Sequence, residues 1–381
     1  MKKLGIYIHI PFCKSKCYYC DFVSFSCKDN LIEKYIECLK KEIKSSIIID
    51  NTENYTVNTI YIGGGTPSYV DSKYIVDVLN EIKQTYKVED TPEITIEVNP
   101  GTITNEKLKD MYEAGINRLS IGLQSDNDDI LKTIGRIHNY KEFLNIYNLA
   151  RKIGFKNINI DLLLALPGQS LEQLEDPVNN VIKLKPEHIS IYSLILEEGT
   201  KLEKLVNDGK LKLPEEELER QMYYLVREIL KQNEYYQYEI SNYSKVGYES
   251  KHNLACWNQE EYIGFGTAAH SYVNKERFSN IDNLEQYISN IENDEIMKNY
   301  IIHEIQNREA QMNEYMILGL RKIEGISILK FKEKFNENPI YLYRNKLSNL
   351  VNKELVEIDG DNIKLTLKGI DFANIVWEEF I

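Results

Sequence analysis

Long apolar runs, proline, paired cysteine knuckles and basic charge are all scarce in this sequence. No window approaches the roughly 18–20 consecutive apolar residues that a membrane-spanning helix needs, so no such span is expected. Nine prolines in 381 residues exclude a proline-rich linker or stalk and leave room for long regular elements. Lys and Arg number 46 against 59 Asp and Glu, a formal net charge of -13. That balance repels a phosphate backbone over the surface as a whole, and no nucleic-acid partner is expected. Six cysteines are too few for a disulfide scaffold in a chain of this length. The opening run MKKLGIYIHIPFCKSKC is broken by His9 and Pro11 and has neither a long apolar stretch nor a small-residue cleavage site; it reads as a strand, not a signal peptide. A reducing cytoplasm, where thiols stay available as ligands, is the expected compartment.

What the sequence does hold is a globular composition, 43% hydrophobic and 28% charged, on a length that suits one large α/β barrel with an appendage or two ordinary domains. Over the first 235 residues a short β-rich run followed by a loop and an amphipathic helical stretch recurs six times. The strands are expected at 5–10, 59–63, 93–98, 118–123, 157–166 and 188–196, and the helices near 31–46, 72–86, 105–114, 140–153, 171–184 and 215–232. Such alternation marks parallel β-α units, whether in an open sheet or in a barrel. Unusual residues decide between the two. CKSKCYYC follows the first strand and GGGTP the second, Glu97 and Asn99 close the third, Gln124 follows the fourth, and Asp161 lies in the fifth, ahead of LPGQ. Polar and glycine residues gathered at successive strand ends describe the active face of a barrel. The expected fold is therefore a six-unit partial barrel over 1–235 and a mainly helical, winged-helix-like domain over 236–381. In the latter, 236–251 reads as a loop and 283–381 as a helical tail. Helices near 311–321, 328–335 and 340–353 precede a hairpin turning at Asp359-Gly360 or Gly360-Asp361. Its acidic studding with Glu333, Glu337, Glu354 and Glu357 argues for a packing module or partner surface over DNA binding.

The spacing of Cys13, Cys17 and Cys20 places three thiols on one short loop. Structural zinc sites take four closed ligands, and Cys27, Cys38 and Cys256 offer no second pair. An iron–sulfur cluster with one open iron is the favoured reading, beside a zinc site completed by a distant histidine or three free thiols.

The run YIHIPFCKSKCYYCDF followed by GGGTP resembles the radical S-adenosylmethionine superfamily, from Tyr7 to at least Ser271. The resemblance implies a [4Fe-4S] cluster held by Cys13, Cys17 and Cys20, with S-adenosylmethionine on the open iron. By the same resemblance the cofactor positions are Tyr7, Gly64, Gly65, Thr66, Glu97, Gln124, Arg136, Asp161 and Ile195, with Tyr19 set to lie against the adenine. Glycine backbone can approach the methionyl ammonium, Arg136 suits the methionyl carboxylate, and the acidic and amide groups suit the ribose hydroxyls or the ammonium. Taken singly, Glu97, Gln124 and Asp161 also read as ordinary strand-end polar residues, and Arg136 as a surface ion pair.

Within the superfamily the sequence looks like the branch that holds oxygen-independent coproporphyrinogen dehydrogenases and haem chaperones. The dehydrogenases carry a cysteine two residues after the third ligand and a long extension before the first. Here Phe22 stands at that position, and twelve residues precede Cys13. The chaperones' HNxxYW motif is matched by His252, Asn253, Leu254, Ala255, Cys256 and Trp257, with cysteine in place of tyrosine. The resemblance implies haem as cargo, with His252, Cys256 and Trp257 as candidate contacts. The other reading of these residues is a satisfied loop histidine and a core tryptophan. His270 is expected to be structural or pocket-lining. The partners so implied are haem, haem-accepting proteins including respiratory and membrane-associated ones, and a protein reductant for the cluster. A radical decarboxylase of coproporphyrinogen III is the alternative function.

Overall fold

The computed structural model of the chain describes residues 1–45 and 54–381. Six β-α units come first: β1 Lys2–Ile10, α1 Ile32–Ser45, β2 Tyr55–Gly64, α2 Ser72–Thr85, β3 Val88–Val98 and α3 Asn105–Glu113. They continue with β4 Arg118–Gln124, α4 Asp128–Thr133, α5 Tyr140–Ile153, β5 Asn157–Leu164, α6 Leu171–Lys183, β6 His188–Ser193, α7 Lys201–Asn207 and α8 Glu216–Gln232. The helix expected to end at Ser46 is described as far as Ser45; Ser46 lies outside the described residues. Polar caps set the helix starts: Asn139 with Glu142 forms a capping box on α5, and Ser170 with Gln173 does so on α6.

Strands β1 to β6 pair in parallel and in sequence order. Their two-residue period sorts side chains by face. Leu4, Ile6, Ile8 and Ile10 of β1, Leu119, Ile121 and Leu123 of β4, and Ile158, Ile160 and Leu162 of β5 face the helices and are buried in one core. Each contributes roughly 1.5–3 kcal/mol. The opposite face of β4, β5 and β6 carries Arg118, Ser120, Gly122, Asn159, Asp161, Ser190 and Tyr192, which line a cavity. The strand expected to run to Leu166 stops at Leu164, because Ala165 turns into the left-handed region at φ 57°.

The expected break at residue 235 does not coincide with a break in packing. β7 Tyr236–Glu239 and β8 Asn242–Ser244 add antiparallel strands beyond β6. α9 Lys251–Trp257 follows, and β9 Tyr262–Phe265 pairs in parallel with β1 on the opposite edge. β10 His270–Val273, β11 Glu276–Asn280, α10 Leu284–Glu292 and β12 Tyr300–Ile305 complete that side, giving this sheet twelve strands among the described residues. One hydrophobic core extends from Leu4 to Ile291, and a separate one begins at Met312. The strands of 236–251 read as loop because three or four residues are too few to display alternation.

The C-terminal unit has its own core, built on α11 Arg308–Gly319, β13 Ile326–Ser327, α12 Ile328–Phe335, α13 Pro339–Leu342 and α14 Arg344–Asn352. It ends with β14 Val356–Asp359, β15 Asn362–Leu365, α15 Leu367–Asp371 and α16 Ala373–Glu378. The expected hairpin is present, with Gly360 at φ 60° and Asp361 as its two loop residues. The single helix expected over 340–353 is two, broken at Tyr343. Among the described residues no helix is long and apolar enough to cross a membrane.

Candidate functional site

After β1 the chain turns at once into the cysteine loop. Cys13 N donates to Phe25 O at 2.9 Å and Phe25 N to Pro11 O at 2.7 Å, closing the base of that loop. The turn after β2 grips the same segment: Gly65 N donates to Ile10 O and Thr66 N to Phe12 O, both at 2.9 Å. Thr66 Oγ1 lies 3.3 Å from Cys13 Sγ. Two glycines are required here. A Cβ on Gly65 would lie 2.9–3.0 Å from the backbone of residues 10–12, and Gly64, at φ +109°, would strike the His9 ring at 2.6 Å. His9 Nε2 donates to Val23 O at 2.9 Å, so Nδ1 is free to accept the Tyr7 hydroxyl proton at 3.0 Å. Burial lowers the His9 pKa to about 4 and keeps this ring neutral.

Cys13, Cys17 and Cys20 open on one cavity of about 400 Å³ at the barrel mouth. Burial pushes the Cys13 thiol upward and Cys20 up to about 11, so ligation must displace their protons. Arg136 is the local cation: Nη1 donates to Cys17 Sγ at 3.4 Å and Nη2 to Gly122 O at 2.6 Å. Gly122 makes this approach possible, since a Cβ there would lie 2.9 Å from the Gln124 amide and 3.1 Å from Arg136. Gln124 itself is held at φ 72° where the β4–β5 register shifts. Glu97 accepts from Tyr61 Oη at 2.9 Å and Gly64 N at 3.2 Å. Burial, with Asp161 nearby, raises its pKa to about 7. Asp161 accepts from Asn159 Nδ2 at 2.7 Å and Ser120 Oγ at 3.2 Å, and burial raises its pKa as well.

Of the expected cluster and cofactor residues, twelve line this cavity: the three cysteines, Tyr19, Gly64, Gly65, Thr66, Glu97, Gln124, Arg136, Asp161 and Ile195. Arg136 is no surface ion pair. Tyr7 does not line the cavity; it lies behind Tyr61, with ring centroids 6.3 Å apart. The expected haem trio is not brought to the cavity either. His252 is 7% exposed, its Nδ1 is 2.9 Å from Thr59 Oγ1, and Tyr61 stacks on it at 5.3 Å. Glu93 accepts the Lys251 and His252 N–H groups at 3.1 Å each and ties α9 to the barrel. Trp257 packs instead on Arg321 of the C-terminal unit, 4.4 Å from guanidinium to ring centroid. Cys256 sits among Tyr262, Arg277 and Glu260. Exposed His270 does not line the cavity and stacks on His303 at 5.6 Å.

Sequence reasoning missed Tyr61, Arg118, Ser120, Asn159, Ser190, Tyr192 and Asn253, all cavity-lining. The signal was present: in RLSIGLQ, NINIDLLL and HISIYS the apolar residues alternate with polar ones, which marks an inward polar face.

The donor set fits a polynuclear iron–sulfur group with S-adenosylmethionine. Three thiols share one opening, a glycine cradle admits close approach, and the carboxylates of Glu97 and Asp161 share the cavity with two guanidiniums, Arg136 beside the thiols and the buried Arg118.

Residues 7–179 match the radical SAM superfamily, and residues 306–372 match the HemN C-terminal domain. A protein named heme chaperone HemW from Bacillus subtilis is 39% identical over 376 residues, 98% of each chain. One of the same name from Lactococcus lactis is 37% identical over 380 residues, covering 100% of this chain and 98% of that one. The solved Escherichia coli coproporphyrinogen III oxidase HemN superposes with a TM-score of 0.85 over 100% of this chain and 90% of its own, at 22% identity, a likeness in fold. The superfamily match over residues 7–179 and identity of 37–39% along nearly the whole length leave one conclusion: this chain belongs to the HemW family of the radical SAM superfamily.

Proposed function

We propose that the protein is a haem chaperone. It binds haem and passes it to acceptor proteins in the cytoplasm or at the membrane face, respiratory proteins among them. The observation that carries this reading is the rim of the cavity. Phe22, 65% exposed, and Ile195, 66% exposed, give the mouth an apolar lip, and Phe22 stands where the decarboxylating branch carries a further thiol. Kinship with proteins named as haem chaperones along the whole chain supports it.

Cys13, Cys17 and Cys20 hold the [4Fe-4S] cluster in this reading, and Gly64, Gly65, Thr66, Glu97, Gln124, Arg136 and Asp161 bind S-adenosylmethionine. Tyr19 and Ile195 flank the adenosine, and Tyr7 supports Tyr61 from behind. When bound there, the cluster would supply one-electron reducing power for S-adenosylmethionine, drawn from a protein reductant. Arg136 donates to Cys17 Sγ and fixes the loop's second thiol, and Glu97 and Asp161 give the cationic end of the cofactor its counter-charge.

His252 serves the haem iron. Its ring is neutral, with a pKa lowered to about 4 by burial and by Arg118 nearby, and its Nδ1 is oriented by Thr59. That leaves Nε2 without a hydrogen bond among the described residues, the arrangement a metal-ligating imidazole needs. Tyr61 must swing aside for the iron to reach it. Cys256 and Trp257 act behind this residue and do not touch haem.

The test is one anaerobically reconstituted sample given two challenges. Haem addition is expected to produce a Soret band that weakens in His252→Ala. Coproporphyrinogen III with S-adenosylmethionine and a reductant is expected to remain unchanged. Catalytic formation of protoporphyrinogen IX would replace the chaperone reading with the decarboxylase one.

A further inference from the structure

Arg118 opens β4 and is 2% exposed, yet its guanidinium forms no ion pair with any described residue and its Nε has no hydrogen-bond partner. It lines the deep end of the cavity. Each neighbouring carboxylate is already engaged: Asp161 by Asn159 and Ser120, Glu97 by Tyr61 and Gly64, and Glu93 by the backbone of α9. A buried guanidinium with an unfilled donor and no ion pair is costly, and an arriving anion offsets that cost. Its neighbours repeat the pattern. In register with Arg118 lie Thr95 on β3 and Asn157 on β5, and both Thr95 Oγ1 and Asn157 Oδ1 are buried and unpartnered. The hydroxyl can rotate to donate, and the amide can turn to present its Nδ2. Arg118 lines the cavity, and Thr95 and Asn157 flank it in register on the neighbouring strands, a row of one fixed charge and two convertible donors.

We propose that this row is a carboxylate subsite, with Arg118 its charged member, for the organic ligand lodged in the barrel. The inference rests on the function proposed above, which supplies a molecule of that chemistry: haem through a propionate. The carboxylate of S-adenosylmethionine falls to Arg136 beside the cysteine loop.

The experiment titrates the reconstituted full chain with haem and with haem dimethyl ester. The unaltered protein is expected to prefer the acid by roughly tenfold or more. Arg118→Gln is expected to abolish that preference while binding of the ester is unchanged, and Arg118→Lys to restore part of it. Equal affinity for acid and ester in the unaltered protein overturns the subsite and leaves the chaperone reading standing, whether or not Arg118→Gln folds. So does an Arg118→Gln protein that keeps the preference, or one that weakens acid and ester alike. Absence of any Soret band in the unaltered protein overturns the chaperone reading and the subsite with it.

Discussion

Glu97 stands between two opposed demands. Burial and the Asp161 carboxyl push its pKa up to about 7, while Tyr61 and Gly64 donate to its charged form. A cationic ammonium at this position selects the ionised carboxylate. Above pH 7 that form is already present; below it, binding must expel a proton. Affinity for S-adenosylmethionine is therefore expected to fall by up to about tenfold per pH unit as pH drops below 7. In Glu97→Gln, affinity is expected to be weaker and flat with pH, because nothing at that position titrates. Calorimetric titrations at several pH values decide this, and a pH-independent unaltered protein would remove Glu97 as the counter-charge. His252 illustrates the same scale differently. The residue type and motif were readable from the sequence, but only the fold reveals that Tyr61 stands over the ring.

At the scale of elements, the turn after β2 and the cysteine loop form one unit. Two backbone hydrogen bonds run from Gly65 and Thr66 into residues 10–12, and the loop base closes on Phe25. Gly65 is the contact point, so Gly65→Ala must push that backbone away. Overpacking of this kind costs about 1–3 kcal/mol. The expected outcome is a lower melting temperature together with loss of the cluster's visible absorbance on reconstitution, since Cys13 moves with the loop. Full absorbance in a folded Gly65→Ala protein would show that the cradle does not position the thiols. The β-α periodicity was readable because strands such as β1 and β5 are long and alternate cleanly. The edge strands β7, β8 and β12 were not: two are very short, and β12 stands within a stretch that reads as helical.

For the whole molecule, the question is how the C-terminal unit is held to the barrel. Arg321 stacks between Trp257 of α9 and Trp377 of α16, 4.4 Å and 5.0 Å from guanidinium to ring centroid. Beside it, Ile240 N donates to Arg321 O and Ile323 N to Tyr238 O, both at 3.1 Å. Cation–π contacts of this partly desolvated kind contribute roughly 0.5–2 kcal/mol. Arg321→Ala is expected to separate the unfolding of the two cores in a calorimetric scan and to shift tryptophan emission to longer wavelength. A single transition at the original temperature would place the coupling elsewhere. The packing boundary near residue 306 follows from the same contacts: composition changes at 235, but 236–305 is taken up by the edges of the sheet.

Local chemistry was enough to establish the alternating β-α core, the three-thiol loop and the strand-end positions of Glu97, Gln124 and Asp161. Each is expressed within a few neighbouring residues as a period, a spacing or a turn. The polar interior needed the tertiary structure, because Arg118, Ser120, Asn159 and Ser190 share one face only when β4, β5 and β6, separated in sequence, pair side by side. The same holds for the separation of His252 from Trp257. Five residues apart on one short helix, they are sent by its geometry to different partners, one into the barrel wall and the other onto the C-terminal unit.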